Sequence, residues 1–195
     1  MRLYSVSAGK GDTAVVLAHE SGGAGLCGWL PTMRYLTAHG FRALALDFRG
    51  TSPSPLPPPK RQFDWREDLQ AAVDAAGAKR VILMGASFGG AAAVAYAPHL
   101  HGIDGVVSVS GELALPTTQI DAIGNAPRLR VPLLVIASRL DGYLDTEEAR
   151  RLVRAAGSPD KEVVLFPGKL HGWDILDERP RARRVLLAWL TKRQR

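Results

Sequence analysis

Cysteine is almost missing from this sequence: Cys27 is the only one in 195 residues, so no internal disulfide can form. No Cys/His cluster stands at zinc spacing, so nothing implies a structural metal or an oxidising compartment, and a reduced cytoplasm is the expected setting. The N-terminal segment MRLYSVSAGKGDTAVVLAHESGG lacks the basic, apolar and small-residue succession of a secretion signal. Long apolar runs are absent as well. The longest uncharged stretch, Val81 to Leu100, is interrupted by Gly85, Ser87, Gly89, Gly90 and Pro98, whereas a spanning helix needs about 20 predominantly apolar residues. No internal repeat is visible. What remains is a 46% hydrophobic chain, which suits one soluble domain over residues 1–195 that buries roughly 70% of its unfolded surface.

Positive charge is in excess, with 25 Lys plus Arg against 19 Asp plus Glu and a net charge of +6. The cations are scattered until Arg179, Arg181, Arg183, Arg184, Lys192, Arg193 and Arg195 gather near the C-terminus. That segment also carries Val185, Leu186, Trp189 and Leu190 at helical spacing, which turns most of the arginines to the opposite face. The cluster therefore reads as a solvated helix face, and neither a nucleic acid nor a membrane is expected as partner.

Short apolar runs rich in β-branched residues alternate with stretches of helical period, the pattern of βαβ units and a mainly parallel sheet. Strands are expected at Thr13 to Ala18, Arg42 to Asp47, Arg80 to Met84, Gly105 to Ser110, Val131 to Ala137 and Glu162 to Phe166, with Arg2 to Ser7 as an antiparallel edge. The near-continuous hydrophobicity of VILM and PLLVIA fits strands covered by helices on both faces. Helices are expected at Leu30 to His39, Trp65 to Ala76, Gly89 to Ala97, Thr146 to Ala156 and Arg181 to Lys192. Asp64 and Glu67 have capping-box spacing at the start of the second. Pro53 to Pro59, with five prolines in seven residues, is expected to be a surface loop.

Gly85-Ala86-Ser87-Phe88-Gly89 fits G-x-S-x-G, follows the apolar VILM strand and opens the small-residue segment GGAAAVAYA. In that context the serine sits on a sharp strand-to-helix turn, and the helix N-terminus behind it offers N–H groups to a developing oxyanion. The glycine spacing does not make G-x-G-x-x-G, and no lysine completes a phosphate loop. A serine hydroxyl needs a base, and the base needs an orienting carboxylate. Asp141 follows the strand in VPLLVIASRL, and His171 lies in LFPGKLHGW beyond the last strand, so both fall on the rim that carries Ser87. Asp145 competes with Asp141, but it directly precedes Thr146-Glu147-Glu148 and has the place of a helix cap. Cys27 reads as a small buried hydrophobe, because no base is suggested near it.

The chain resembles an α/β-hydrolase over nearly its whole length. The matching residues are His19 at the end of the first long strand, the turn Asp47-Phe48-Arg49-Gly50, the elbow around Ser87, Asp141, and His171-Gly172. The resemblance implies a three-layer α/β sandwich with a mainly parallel twisted sheet. It further implies Ser87 as nucleophile, His171 as base, Asp141 as orienter, and His19 as a structural residue of the oxyanion loop. The oxyanion donors would be the backbone N–H groups of Phe88 and Ser21. A-H-E-S-G-G is similar to the glutamate-bearing loop of the dienelactone hydrolase branch, whose nucleophile is usually cysteine, whereas this elbow carries serine.

Only about twenty residues separate the strands ending near Ser110 and starting at Val131, too few for a multi-helix cap. A shallow open pocket is expected, with Glu20, Trp29, Phe88, Leu113, Tyr143 and Trp173 as walls. The expectation is thus a capless, carboxylesterase-like serine hydrolase acting on a small-molecule ester or related acyl bond, with no metal or organic cofactor. Thioesterase, amide or lactone hydrolysis, and a non-hydrolytic binding or biosynthetic role on the same fold stay open, as does a homodimeric state.

Overall fold

The computed structural model describes residues 3–51, 53–56 and 64–194. In chain order the strands are β1 Ser5–Ala8, β2 Thr13–Ala18, β3 Arg42–Leu46, β4 Arg80–Ala86, β5 Gly105–Val109, β6 Ala114–Leu115, β7 Ile120–Asp121, β8 Leu133–Ser138 and β9 Lys161–Phe166. The α-helices are α1 Leu30–Ala38, α2 Trp65–Ala75, α3 Phe88–Tyr96, α4 Ala122–Asn125, α5 Thr146–Ala155, α6 Asp174–Glu178 and α7 Pro180–Thr191. Seven strands form one sheet in the order β1-β3-β2-β4-β5-β8-β9, parallel except for β1, which runs antiparallel to β3. The sheet is α/β-layered, as expected.

Alternation along each strand builds two cores. From β2, Ala14, Val16 and Ala18 face one layer while Val15 and Leu17 face the other. The first layer buries Leu69, Ala72 and Val73 of α2, the small residues of α3, and Ala149 and Leu152 of α5. The second buries Met33 and Leu36 of α1, Ile175 and Leu176 of α6, and Ala182, Leu186, Trp189 and Leu190 of α7. A fully buried strand has no solvated face, so its sequence reads as an unbroken apolar run.

The chain leaves β2 toward β3 on one side and returns past it to β4 on the other. Loops after β2 and β4 therefore diverge, and open α/β sheets bind ligands in the crevice this creates. Gly89 brings the two together. A Cβ placed there would lie 2.2 Å from the Ala18 carbonyl oxygen and 2.6 Å from that of His19. Only glycine lets the start of α3 rest on the end of β2.

Several expectations are corrected. The edge strand is Ser5–Ala8, one residue further along than the expected end at Ser7, and the expected start at Arg2 and part of the Pro53 to Pro59 loop lie outside the described residues. The capping box at Asp64 does not close: Asp64 accepts the Arg66 N–H at 2.8 Å, but Glu67 is drawn away to Arg49 at 3.1 Å. Cys27 is exposed, not buried, because its short 3-10 turn directs Leu26 and Trp29 inward and leaves Cys27 on the outer side. The helix α6 and the β6–β7 hairpin were not anticipated; five- and two-residue elements carry too little periodicity to be read. Between β5 and β8 the chain holds that hairpin, α4 and a 3-10 turn, with no cap domain.

Candidate active site

β4 runs directly into the elbow. Ser87 has φ 47° and ψ −118°, a left-handed conformation that costs a non-glycine residue on the order of 1–3 kcal/mol. The turn is held from both sides: Ser87 N–H donates to the Val109 carbonyl at 2.9 Å, and the Ser87 carbonyl accepts from Ala91 N–H at 2.9 Å. Gly85 is compressed against the Gly89 backbone, where a Cβ would lie 2.1 Å from the carbonyl oxygen. Phe88 opens α3, so its N–H belongs to the first turn, where helix amides have no intrahelical acceptor.

Beside it, the loop after β2 is fixed by His19. The His19 ring is buried, and its Nε2 accepts the Phe48 N–H at 3.2 Å. Nδ1 therefore carries the proton and donates to the Glu20 carbonyl at 2.6 Å. Burial holds this imidazole below the usual histidine range, against the Glu20 carbonyl bond and the charge of Asp47. A trans peptide points its C=O and the following N–H to opposite sides, so this bond also fixes the direction of Ser21 N–H. Asp47 accepts the Leu26 N–H at 2.7 Å and thereby ties the far end of the same loop to the end of β3.

Asp141 and His171 come from the loops after β8 and β9. Those loops are joined beyond the strands by Arg139 N–H to the Phe166 carbonyl at 2.8 Å and Leu140 N–H to the Gly168 carbonyl at 3.0 Å. The His171 Nδ1 lies 3.0 Å from both carboxylate oxygens of Asp141, and Tyr143 N–H donates to Oδ1 at 2.9 Å. Asp141 is 3% exposed. Burial pushes its carboxyl up, but His171, Ser110 and the Tyr143 N–H together outweigh this and leave it below the usual range. The Ser110 hydroxyl acts here by proximity, without closing a well-formed hydrogen bond. Burial also opposes charge on His171, yet Asp141, then Glu20 and Glu112, raise its pKa above the ordinary 6.5.

The His171–Gly172 turn seats against the elbow: a Cβ on Gly172 would lie 3.8 Å from that of Ala86, the residue before Ser87. Ser87 Oγ and His171 are not hydrogen-bonded to each other in this resting arrangement, a contact that in such sites commonly closes only with substrate. Glu20 occupies the space over Gly172, where a Cβ would meet its Oε2 at 1.9 Å. Burial raises its pKa, opposed by the Trp173 N–H and by His171. Its Oε2 is buried without a partner among the described residues.

The expected pocket walls divide. Tyr143 is 63% exposed and packs its ring 4.7 Å from His171, centroid to centroid. Leu113 and Trp173 are half-buried. Trp29 lines no open surface. It is wholly buried in edge contact with Trp173 at 5.8 Å, because Gly28 leaves the room that the Trp173 ring fills. Ser21 is exposed on its loop. Three features escaped the sequence reading. Ser110 has φ 53° beside the elbow, Glu112 faces His171 with its pKa raised by burial, and Phe48 and Trp65 form walls beside Phe88. For Ser110, Glu112 and Phe48 the place just past a strand end was the available signal, whereas Trp65 opens α2 and had none.

A doubly wound sheet with a strained serine at its switch point and a His–Asp pair on the same rim defines the α/β-hydrolase class of architecture. The chain belongs to the alpha/beta hydrolase family, whose model matches residues 15–194. It is similar in structure to a monoacylglycerol lipase of Paleococcus ferrophilus, with 21% identity over 98% of this chain and 99% of that one and a TM-score of 0.80. An esterase of Pyrococcus furiosus matches at 16% identity over 98% and 91%, TM-score 0.81. An enol-lactonase of Burkholderia xenovorans matches at 18% over 97% and 96%, TM-score 0.81. Among the described residues no helix is long and apolar enough to cross a membrane, and no group of three or more His, Cys, Asp or Glu could hold a metal.

Proposed function

We propose that this protein is a serine hydrolase that cleaves a carboxylic ester of a small molecule through Ser87, His171 and Asp141. The observation that carries the reading is the bidentate approach of Asp141 to His171 Nδ1, at 3.0 Å to each oxygen, on the rim that presents the strained Ser87. With Nδ1–H held by Asp141, the free Nε2 is the acceptor a general base needs. The ester, lipase and lactonase names of the structural neighbours agree with an acyl C–O bond as the target.

Ser87 Oγ attacks the carbonyl carbon while its proton passes to His171 Nε2. The oxyanion rests on the backbone N–H groups of Phe88 and Ser21, the latter aimed by the His19 bond to the Glu20 carbonyl. Protonation of the alcohol by His171 releases it and leaves an acyl-enzyme, which water hydrolyses by the same route. Asp141 stays ionised throughout and stabilises the imidazolium.

Fluorophosphonate labelling tests the reading: Ser87 should react, and Ser87→Ala should lose p-nitrophenyl ester hydrolysis by several orders of magnitude. A folded protein that fails to label, or a variant that keeps most of its rate, overturns it.

A further inference from the structure

A cleft lies between the loop after β2, the turn after β3 and the starts of α2 and α3, and His171 is not among its lining residues. His19, Ser21, Phe48, Arg49, Trp65 and Phe88 are among its lining residues, and it encloses about 360 Å³, within the range of small-molecule sites. Its wall is aromatic. The Phe88 ring meets Phe48 edge-on at 5.3 Å and Trp65 at 5.2 Å. Leu56 overhangs one end, packed over Gly50. Among the described lining residues the one Lys or Arg, Arg49, is committed elsewhere: it donates from backbone and Nε to the buried Asp68 at 2.9 and 2.6 Å and pairs with Glu67 at 3.1 Å. Ser21 and Phe88 line this cleft; Asp141, His171 and Tyr143 do not.

We propose that this cleft is the acyl subsite and that it takes a bulky, uncharged acyl group, aromatic or branched. The inference rests on the hydrolase reading and adds the substrate class to it. A carbonyl whose oxygen lies on Phe88 and Ser21 and whose carbon bonds to Ser87 has two substituents left to place. The C–O bond to the alcohol breaks as that oxygen takes the proton from His171, so the alcohol lies on the His171 side. The acyl group is left with the other side, where the aromatic cleft begins at the same two residues. An anionic acyl group is selected against, because Arg49 already has its counter-charges and a carboxylate would lose water without gaining a partner. A neutral ring instead gains edge contacts with Phe88 and Trp65.

The test holds the leaving group fixed and varies the acyl part: p-nitrophenyl acetate, phenylacetate and 4-carboxyphenylacetate. On the full chain, kcat/KM for phenylacetate should exceed that for acetate by about 10-fold or more, and the carboxylated ester should fall about 10-fold below phenylacetate. Trp65→Ala should lower the phenylacetate-to-acetate ratio by roughly 5-fold. Leu56 is exposed at the mouth, so Leu56→Lys should fold and should raise the carboxylated ester relative to phenylacetate. Equal rates on acetate and phenylacetate, or ratios unmoved in both variants, overturn the subsite. Fluorophosphonate labelling of Ser87 in the same preparations separates the two readings: labelling without acyl selectivity refutes the subsite alone, and absence of labelling refutes the hydrolase.

Discussion

Replacing Asp141 by asparagine keeps its shape and exchanges one acceptor oxygen for a donor. In the native site both oxygens are used: Oδ1 takes the Tyr143 N–H at 2.9 Å and shares His171 Nδ1 with Oδ2, each at 3.0 Å. Asparagine that keeps its oxygen on Tyr143 must point its NH2 at Nδ1. A donor there forces the imidazole proton onto Nε2, the nitrogen that has to receive the Ser87 proton. Flipping the amide restores the tautomer but sets the NH2 against the Tyr143 N–H in a pocket 3% exposed, so the wrong tautomer wins. The loss in kcat should be about 10³–10⁴, roughly 4–5.5 kcal/mol of transition-state stabilisation, as for the same exchange in the serine-protease triad. Initial rates on a p-nitrophenyl ester and the rate of fluorophosphonate labelling both measure it. The control is Asp145→Ala, four residues along. Asp145 accepts Glu147 and Glu148 N–H at 2.8 and 2.9 Å and closes a capping box with Glu148, so its loss should cost about 1 kcal/mol and lower Tm by about 2–4 °C with kcat unchanged. A loss below tenfold in Asp141→Asn, or an equal catalytic loss in Asp145→Ala, refutes the assignment of the carboxylate.

The proposed mechanism requires neutral His171, so kcat/KM should fall with acid through a pKa above 6.5, the direction set by Asp141, Glu20 and Glu112 against burial. Glu20→Gln keeps an acceptor for the Trp173 N–H and removes one of those charges, so the acid limb should move to lower pH; an unmoved limb would show that Glu20 does not act on His171. Asp68→Ala removes the fully buried carboxylate that holds both the Arg49 backbone and its Nε, leaving Glu67 on the guanidinium, and should cost about 3 kcal/mol, read as a Tm drop of roughly 10 °C, while a drop under 3 °C would mean that Glu67 and solvent take over from Asp68. Gly89→Ala drives a Cβ to 2.2 Å from the Ala18 carbonyl oxygen and should cost about 1–3 kcal/mol, with kcat falling more than KM changes as the oxyanion loop is displaced from the elbow.

The parallel sheet, the elbow, Asp141 and His171 were legible because each leaves a local mark: unbroken apolar runs, a G-x-S-x-G turn after a strand, and polar residues just past strand ends. Asp145 was separable from Asp141 for the same reason, since a helix cap is a local pattern. The failures are non-local. Glu67 has capping-box spacing from Asp64, but Arg49, eighteen positions upstream, takes it. Aromatics near a site often line it, so the sequence suggests Trp29 as a pocket wall, and only the three-dimensional fit of Trp173 over Gly28 shows it enclosed. The Phe48, Trp65 and Phe88 wall joins three elements and has no sequence periodicity at all.

The composition of α3 belongs to the same geometry. Ser87 and Ser110 stand at the ends of adjacent strands, both in left-handed backbone conformations that neither would hold alone. What holds them is contact between backbones. A Cβ on Gly111 would come within 2.4 Å of Gly90, one on Gly85 within 2.1 Å of Gly89, and one on Gly89 within 2.2 Å of Ala18. These approaches tie the ends of β2, β4 and β5 to the first turn of α3, which is why the buried residues Gly89, Gly90, Ala91, Ala92 and Ala93 at its start carry almost no side-chain volume. A larger residue there would separate Ser87, the proposed nucleophile, from the backbone N–H groups of Phe88 and Ser21. Preorganisation of this kind comes from the sheet and the first turn of one helix.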